Sequence, residues 1–89
     1  MKLPIDVNLG CLEVGVPEDP EWCPIAYAVR AALPEAEFVN VDDVITCVYA
    51  HARWKANHTN ATRLFMTAFD DGQEVSPFTA ELNFHEVTP

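Results

Sequence analysis

The chain has 89 residues, of which 49% are hydrophobic and 21% are charged, and 14 acidic residues against 5 Lys and Arg give a formal net charge of -9. A chain of this length buries a core but leaves no room for a deep cofactor cavity, so a large enzyme is excluded. The apolar share is well above that of disordered chains, and we expect one small folded domain over residues 1–89.

The charge and the cysteines narrow the class further. Direct binding to nucleic acid is not expected, because that affinity comes mostly from Lys and Arg that displace counterions. No stretch approaches the roughly 20 apolar residues that span a bilayer and no secretory apolar run opens the chain, so we expect a soluble intracellular protein with no membrane partner. Cys11, Cys23 and Cys47 are odd in number and lack CxxC spacing, which predicts reduced thiols.

The first half of the chain predicts a strand, a loop and a helix. Apolar residues alternate with polar ones at Leu3, Ile5, Val7 and Leu9, which indicates a half-buried strand. The Pro- and acid-rich segment Gly10–Trp22 predicts a solvated loop whose first half extends the strand to Val14. A helix begins at Pro24 and ends at Pro34, with an apolar stripe at Ile25, Ala28, Val29, Ala32 and Leu33.

The second half predicts three more elements and a final strand. Glu37–Val41 and Val44–Trp54 are rich in β-branched and aromatic residues and indicate two antiparallel strands around the Asp42-Asp43 turn. A second helix is capped by Thr59 or Asn60, ends at Gly72 and has an apolar stripe at Ala61, Leu64, Phe65, Ala68 and Phe69. The last strand has Phe78, Ala80, Leu82 and Phe84 on one face.

The element order β-α-β-β-α-β predicts an α+β fold of the ferredoxin-like kind. In that fold a four-stranded antiparallel sheet has both helices on one face. The alternative is an open α+β sheet in which the 44–54 strand belongs to a hairpin-centred meander and the first strand pairs elsewhere.

The ferredoxin-like arrangement would place eight of the fourteen acids at one end of the molecule and four of the five basic residues at the other. The basic residues of the second group are Lys2, Arg53, Lys55 and Arg63. The eight acids are the predicted partner-binding residues: Glu18, Asp19, Glu21, Asp42, Asp43, Asp70, Asp71 and Glu74. Acids of this kind either dock onto a basic protein surface or only keep a small protein soluble.

Other features suggest anchors and a second mode of association. Asp70 and Asp71 close the second helix, where the helix dipole disfavours anions, and such violations occur at functional positions. Trp22 and Trp54 are candidate interface anchors, because tryptophan is enriched at interface hot spots. Edge strands would allow a homodimer by strand addition.

Specific chemistry has little support in the residues. Cys23 precedes a helix, where the dipole favours a thiolate, but the acids beside it oppose that effect, so a thiol enzyme is the weakest hypothesis. The spacing of His51, His58 and His85 relative to the cysteines matches no recurrent metal-ligand pattern. We therefore expect no catalytic residues, no metal and no cofactor.

Two segments carry a family resemblance: Cys23–Arg30 (CPIAYAVR) and Phe69–Leu82 (FDDGQEVSPFTAEL). They resemble small proteins of tailed bacteriophages, notably phages of actinobacteria, a family without an assigned activity. The resemblance implies a viral accessory protein in the host cytoplasm. The chain departs from the pattern in having one cysteine before the proline, where relatives often have a pair, and in having Thr79-Ala80 where Phe-Glu is usual.

The leading hypothesis is a non-catalytic protein that binds a host or phage protein with a basic surface through its acidic end. Such a protein could inhibit a host enzyme by presenting carboxylates in place of nucleic-acid phosphates. A homo-oligomeric structural module is the alternative, followed by the thiol enzyme that uses Cys23.

Overall fold

A computed structural model describes residues 1–87 and shows an α+β fold, as the sequence predicts. Its elements in chain order are β1 (Lys2–Val7), α1 (Leu9–Val14), α2 (Pro24–Ala32), β2 (Phe38–Val41), β3 (Val44–Tyr49), β4 (Ala52–Asn57), α3 (Asn60–Asp70), β5 (Phe78–Asn83) and β6 (His85–Glu86). The elements form two open antiparallel sheets. β1 pairs with β5, and the other sheet has the order β2-β3-β4-β6.

The predicted single ferredoxin-like sheet is wrong, because the chain turns where a continuous strand was expected. Ala50 and His51 have φ angles of 53° and 61°, and they divide the predicted strand 44–54 into β3 and β4. Positive φ at both central residues is the signature of hairpin turns that match the twist of the strands. β4 then occupies the edge of β3 at which β1 would have paired, and β1 keeps only its pairing with β5. The alternative, a hairpin-centred meander with the first strand elsewhere, is close to this arrangement.

The predicted apolar faces build most of the core. Leu3, Ile5 and Val7 of β1 are buried against α2, whose own buried stripe includes Ile25, Ala28 and Val29. The expected loop after β1 is wrong over its first part, since Leu9–Val14 forms the short helix α1 and leaves Leu9 exposed. The Asn8 side chain caps this helix by accepting a hydrogen bond of 3.0 Å from the Cys11 amide.

Helix α3 lies where it was predicted but is rotated about its axis. Ala61 and Leu64 of the predicted stripe are exposed, whereas Thr62 is fully buried. Thr59 and Thr62 form a reciprocal capping box, in which the Thr62 hydroxyl accepts from the Thr59 amide at 2.9 Å. The cap therefore turns a polar side chain inward. Gly72 follows the helix with φ 75°, as expected.

The sheet edges carry features that oppose pairing with another strand. Phe84 donates its amide to Met1 O at 2.7 Å, and hydrogen-bonded pairs alternate along an antiparallel ladder. The peptide groups of Lys2, Pro4 and Asp6 therefore face away from β5. Pro4 has no N–H to offer at that edge, and the two neighbouring side chains are charged.

Replacing Thr62 with valine tests the inward-facing cap. The variant keeps the shape of the side chain but leaves the Thr59 amide and His58 Nδ1 without their partner, so we expect a loss of about 1–3 kcal/mol in the free energy of unfolding. Thr67→Val is the matched control, because Thr67 is exposed on the same helix. Urea denaturation that gave equal values for the two variants would contradict this role.

Candidate functional site

Residues 16–22, which we call the acidic loop, form a closed and internally bonded turn. The Val16 amide donates to Trp22 O at 2.8 Å and joins the two ends of the loop. Inside it, one carboxylate oxygen of Asp19 accepts from the amides of Glu21 at 3.0 Å and Trp22 at 3.2 Å. Asp19 thus supplies the turn with a hydrogen-bond acceptor from its own side chain.

Two contacts fix the acidic loop to distant parts of the chain. The Glu18 amide donates to Asp70 Oδ1 at the end of α3, at 3.0 Å. The amide of Val41 at the end of β2 donates to Pro20 O at 2.7 Å. Glu18 has φ 59°, which is uncommon for a residue other than glycine. The contact with Asp70 helps to hold this conformation.

Arg30 of α2 forms the third attachment and positions Trp22. Its guanidinium group donates to Glu21 O in the acidic loop and to Val39 O on β2, the latter at 3.4 Å. The same group lies over the Trp22 ring, 4.2 Å from the ring centre. The centres of the Trp22 and Tyr27 rings are 5.7 Å apart. A cation over an exposed indole contributes about 0.5–1 kcal/mol. Trp22 nevertheless remains 44% exposed.

The structure places six of the eight predicted acids at the exposed surface and gives the other two structural contacts. The exposed residues are Glu18, Glu21, Asp42, Asp43, Asp71 and Glu74. Asp19 and Asp70 are half-buried, and their carboxylates accept the loop hydrogen bonds. The binding role of all eight residues stays a prediction.

Asp42-Asp43 and Asp70-Asp71 lie at opposite ends of α3 rather than at one pole, and the acidic loop contacts the segments that carry both pairs. Asp42 lies near the start of the helix, where His58 Nε2 donates to Asp42 O at 2.7 Å, whereas Asp70 and Asp71 lie at its end. A cleft of about 410 Å³ lies between the 42–43 turn and α3. Arg63, expected at the opposite end of the molecule, lines this cleft together with both aspartates. The expected separation of charge into two ends is therefore wrong for Arg63.

All three thiols are free and buried. Cys23 caps α2 without any exposed surface, and its burial raises the pKa of the thiol above the ordinary value of 9.0, although the amides of Ala26 and Ile25 act in the opposite direction. Burial also raises the pKa of Cys47. The helix dipole that suggested a thiolate is thus outweighed by desolvation.

Other kinds of site find no support within residues 1–87. No group of three His, Cys, Asp or Glu side chains in that range is placed to hold a metal ion. In the same range no helix has the length and apolar character needed to cross a bilayer. Comparisons with protein-family models, curated proteins and solved structures found no match to the chain. The acidic loop and Trp22 form the candidate site of the described residues.

Sequence reasoning identified Trp22 but missed Arg30 and His58. Tyr27 and Arg30 are three residues apart on α2 and therefore share a helix face, which is a signal that the sequence does contain. The spacing of these two residues does not show that Arg30 donates a hydrogen bond to the acidic loop. His58 and Thr62 are four residues apart, but the partner carbonyl of Asp42 lies on another element.

Replacing Asp70 with alanine tests the attachment of the acidic loop to α3. The Glu18 amide loses its acceptor, so we expect faster hydrogen exchange at that amide and a loss of about 1 kcal/mol in unfolding free energy. Asp71→Ala is the matched control, because it removes the same charge from an exposed neighbour. Equal exchange rates at Glu18 in the two variants would show that the attachment has no effect.

Alkylation by iodoacetamide tests the state of Cys23. Because the pKa of the folded thiol is raised, we expect negligible labelling of Cys23 by mass spectrometry at neutral pH and full labelling in denaturant. The neutral thiol contributes its full stability below about pH 9, and this contribution falls as the pH rises through the raised value. Rapid labelling of the folded protein at neutral pH would restore the thiol-enzyme hypothesis.

Proposed function

We propose that the protein is a non-catalytic binding protein that docks onto a basic protein surface through the acidic loop, with Trp22 as its apolar anchor. The observation that carries the proposal is an exposed tryptophan on a loop fixed by three separate elements. α2 contributes Arg30, α3 contributes Asp70 and β2 contributes the Val41 amide.

Rigidity of the acidic loop favours a role in recognition. A flexible loop loses conformational entropy when it binds. The free-energy cost is about 0.5–1.5 kcal/mol for each immobilised side chain. In the unbound protein, amides of this loop donate hydrogen bonds to Asp19 and Asp70, and Arg30 donates one to a carbonyl oxygen of the loop. Functional residues are often carried by loops that a rigid scaffold positions.

Trp22 has the properties of an anchor residue. Tryptophan, tyrosine and arginine dominate interface hot spots, and all three meet here as Trp22, Tyr27 and Arg30. The Trp22 side chain is 44% exposed. Burying the apolar surface of an indole is favourable in free energy. A partner that covers the ring would remove this surface from water.

Charge around the anchor selects the partner. Glu18 and Glu21 precede the tryptophan in the same loop and are exposed, and the whole chain carries a net charge of -9. Such a field speeds encounter with a cationic surface and opposes encounter with nucleic acid. A partner surface that ordinarily receives phosphates would suit the carboxylates.

The resemblance of Cys23–Arg30 and Phe69–Leu82 to tailed-phage proteins supports a setting for this activity. We propose an accessory role in the host cytoplasm, with a host or phage protein as the partner. The two segments include Arg30 and Asp70, so residues that fix the acidic loop lie within the resembling regions.

Affinity capture from an actinobacterial lysate tests the proposal. The amount of partner protein retained should be at least about tenfold lower with Trp22→Ala than with the wild type, because this variant lacks the anchor. We expect the same decrease with the Glu18→Gln/Glu21→Gln variant. The double variant Glu35→Gln/Glu81→Gln is the control, because it changes the net charge equally at exposed sites outside the loop.

Salt dependence completes this test. Retention should weaken steeply between about 0.1 M and 1 M salt, as the Debye length falls from about 10 Å to about 3 Å. Retention that was equal for the wild type and for both loop variants would contradict the proposal. Retention insensitive to salt would contradict the electrostatic part of it.

A further inference from the structure

The outer face of the four-stranded sheet differs in charge from the rest of the molecule. The strand register and the alternation of side chains place ten described residues on this face: Phe38, Asn40, Val44, Thr46, Val48, Arg53, Lys55, Asn57, His85 and Val87. None of the ten is acidic, although the chain has 14 acidic residues. The face holds two of the five Lys and Arg residues.

This face is open, whereas the opposite face of the same strands is the core side. Val39, Val41, Ile45, Cys47 and Ala56 of the core side are buried. Every residue of the outer face is exposed or half-buried. Phe38, Val48 and Arg53 lie side by side across three strands, and Lys55 lies beside His85. Apolar and cationic side chains therefore share one uncovered surface.

We propose that this sheet face binds the acidic loop of a second copy of the chain, in a head-to-tail contact. The proposal depends on the acidic loop being a docking surface, as proposed above. In this contact Arg53 and Lys55 meet Glu18 and Glu21, and the apolar residues of the face receive Trp22. Charge complementarity fixes the choice of occupant, because the acidic loop presents the negative charge that the face lacks and an exposed indole for its apolar residues.

Symmetric contacts are disfavoured by the same observations. Packing two outer faces together would bring the cations of one copy close to those of the other. Strand addition at β1 meets Pro4, and at β2 the outward peptide groups of Val39 and Val41 already bond Arg30 and Pro20. A contact between unlike surfaces avoids both problems and leaves one free loop and one free face in every dimer.

The contact is expected to be weak. Four strands about 4.8 Å apart give a surface only about 15–20 Å wide. The area that this surface can bury is therefore at the low end for specific interfaces. Two copies of charge -9 repel each other at long range. In 0.1 M salt the Debye length is about 10 Å, so the ions screen this long-range repulsion more than the attraction between charges in direct contact. Association should therefore be visible at high protein concentration.

Sedimentation velocity with two complementary variants tests the proposal. Arg53→Glu/Lys55→Glu disables the face, and Glu18→Lys/Glu21→Lys disables the loop. In 0.1 M salt the wild type should associate as its concentration approaches the millimolar range, and each variant alone should stay monomeric. An equimolar mixture of the variants should form a one-to-one dimer, because one intact loop still meets one intact face.

Matched controls separate local contacts from total charge. Lys2→Glu/Arg63→Glu changes the net charge as much as the face variant does but at exposed residues outside the face, and it should associate as the wild type does. Circular dichroism should show that every variant keeps the fold. A face variant that failed to fold would be replaced by Arg53→Gln/Lys55→Gln, which should weaken association without reversing the charge.

Three results would overturn the proposal. They are a wild type that stays monomeric throughout, a mixture of variants that fails to dimerise, and a face that binds a polyglutamate peptide while the wild type shows no self-association. The last result would assign the face to another acidic protein. The face variant keeps its acidic loop, so its capture of a basic partner tests the proposed function separately.

Discussion

Arg30 joins three parts of the molecule that are separate in sequence. Arg30 belongs to α2, and its guanidinium group donates hydrogen bonds to carbonyl oxygens of the acidic loop and of β2. The same group lies over the Trp22 ring. A guanidinium is suited to this task because its donors lie in a fixed plane that can also stack on an aromatic ring. The position of the exposed tryptophan, and with it the proposed docking surface, depends on this group.

The strands and helices were largely predictable because their signals are local. Alternation in β1 and β5, Pro24 at the start of α2 and Gly72 after α3 are all visible in the sequence and hold in the structure. The topology was not predictable, because it depends on the turn at Ala50 and His51. Alanine is not typical of positive φ, and Ala50-His51 is not one of the Asn-Gly or Asp-Gly pairs that mark hairpin turns, so the pattern indicated one long strand. A hairpin closes a short loop at small entropic cost and takes the strand edge that a distant partner would have needed.

The site was predictable in composition but not in geometry. The sequence singled out Asp70 for its unfavourable position at a helix end, and the structure gives its carboxylate a structural contact in which it accepts from the Glu18 amide. Trp22 was a candidate anchor in the sequence, and the structure leaves its side chain 44% exposed. Nothing in a one-dimensional pattern shows that Arg30 turns back to this loop or that Arg63 shares a cleft with Asp42 and Asp43. Those relations depend on packing between elements far apart in sequence.

The proposed docking surface requires an acidic loop that is ordered before any partner binds. Backbone ¹⁵N relaxation measures this order directly in the isolated monomer. We expect order parameters of about 0.85 for residues 18–22, comparable to those of α2. Values below about 0.6 across these residues would show a flexible loop and would contradict the claim.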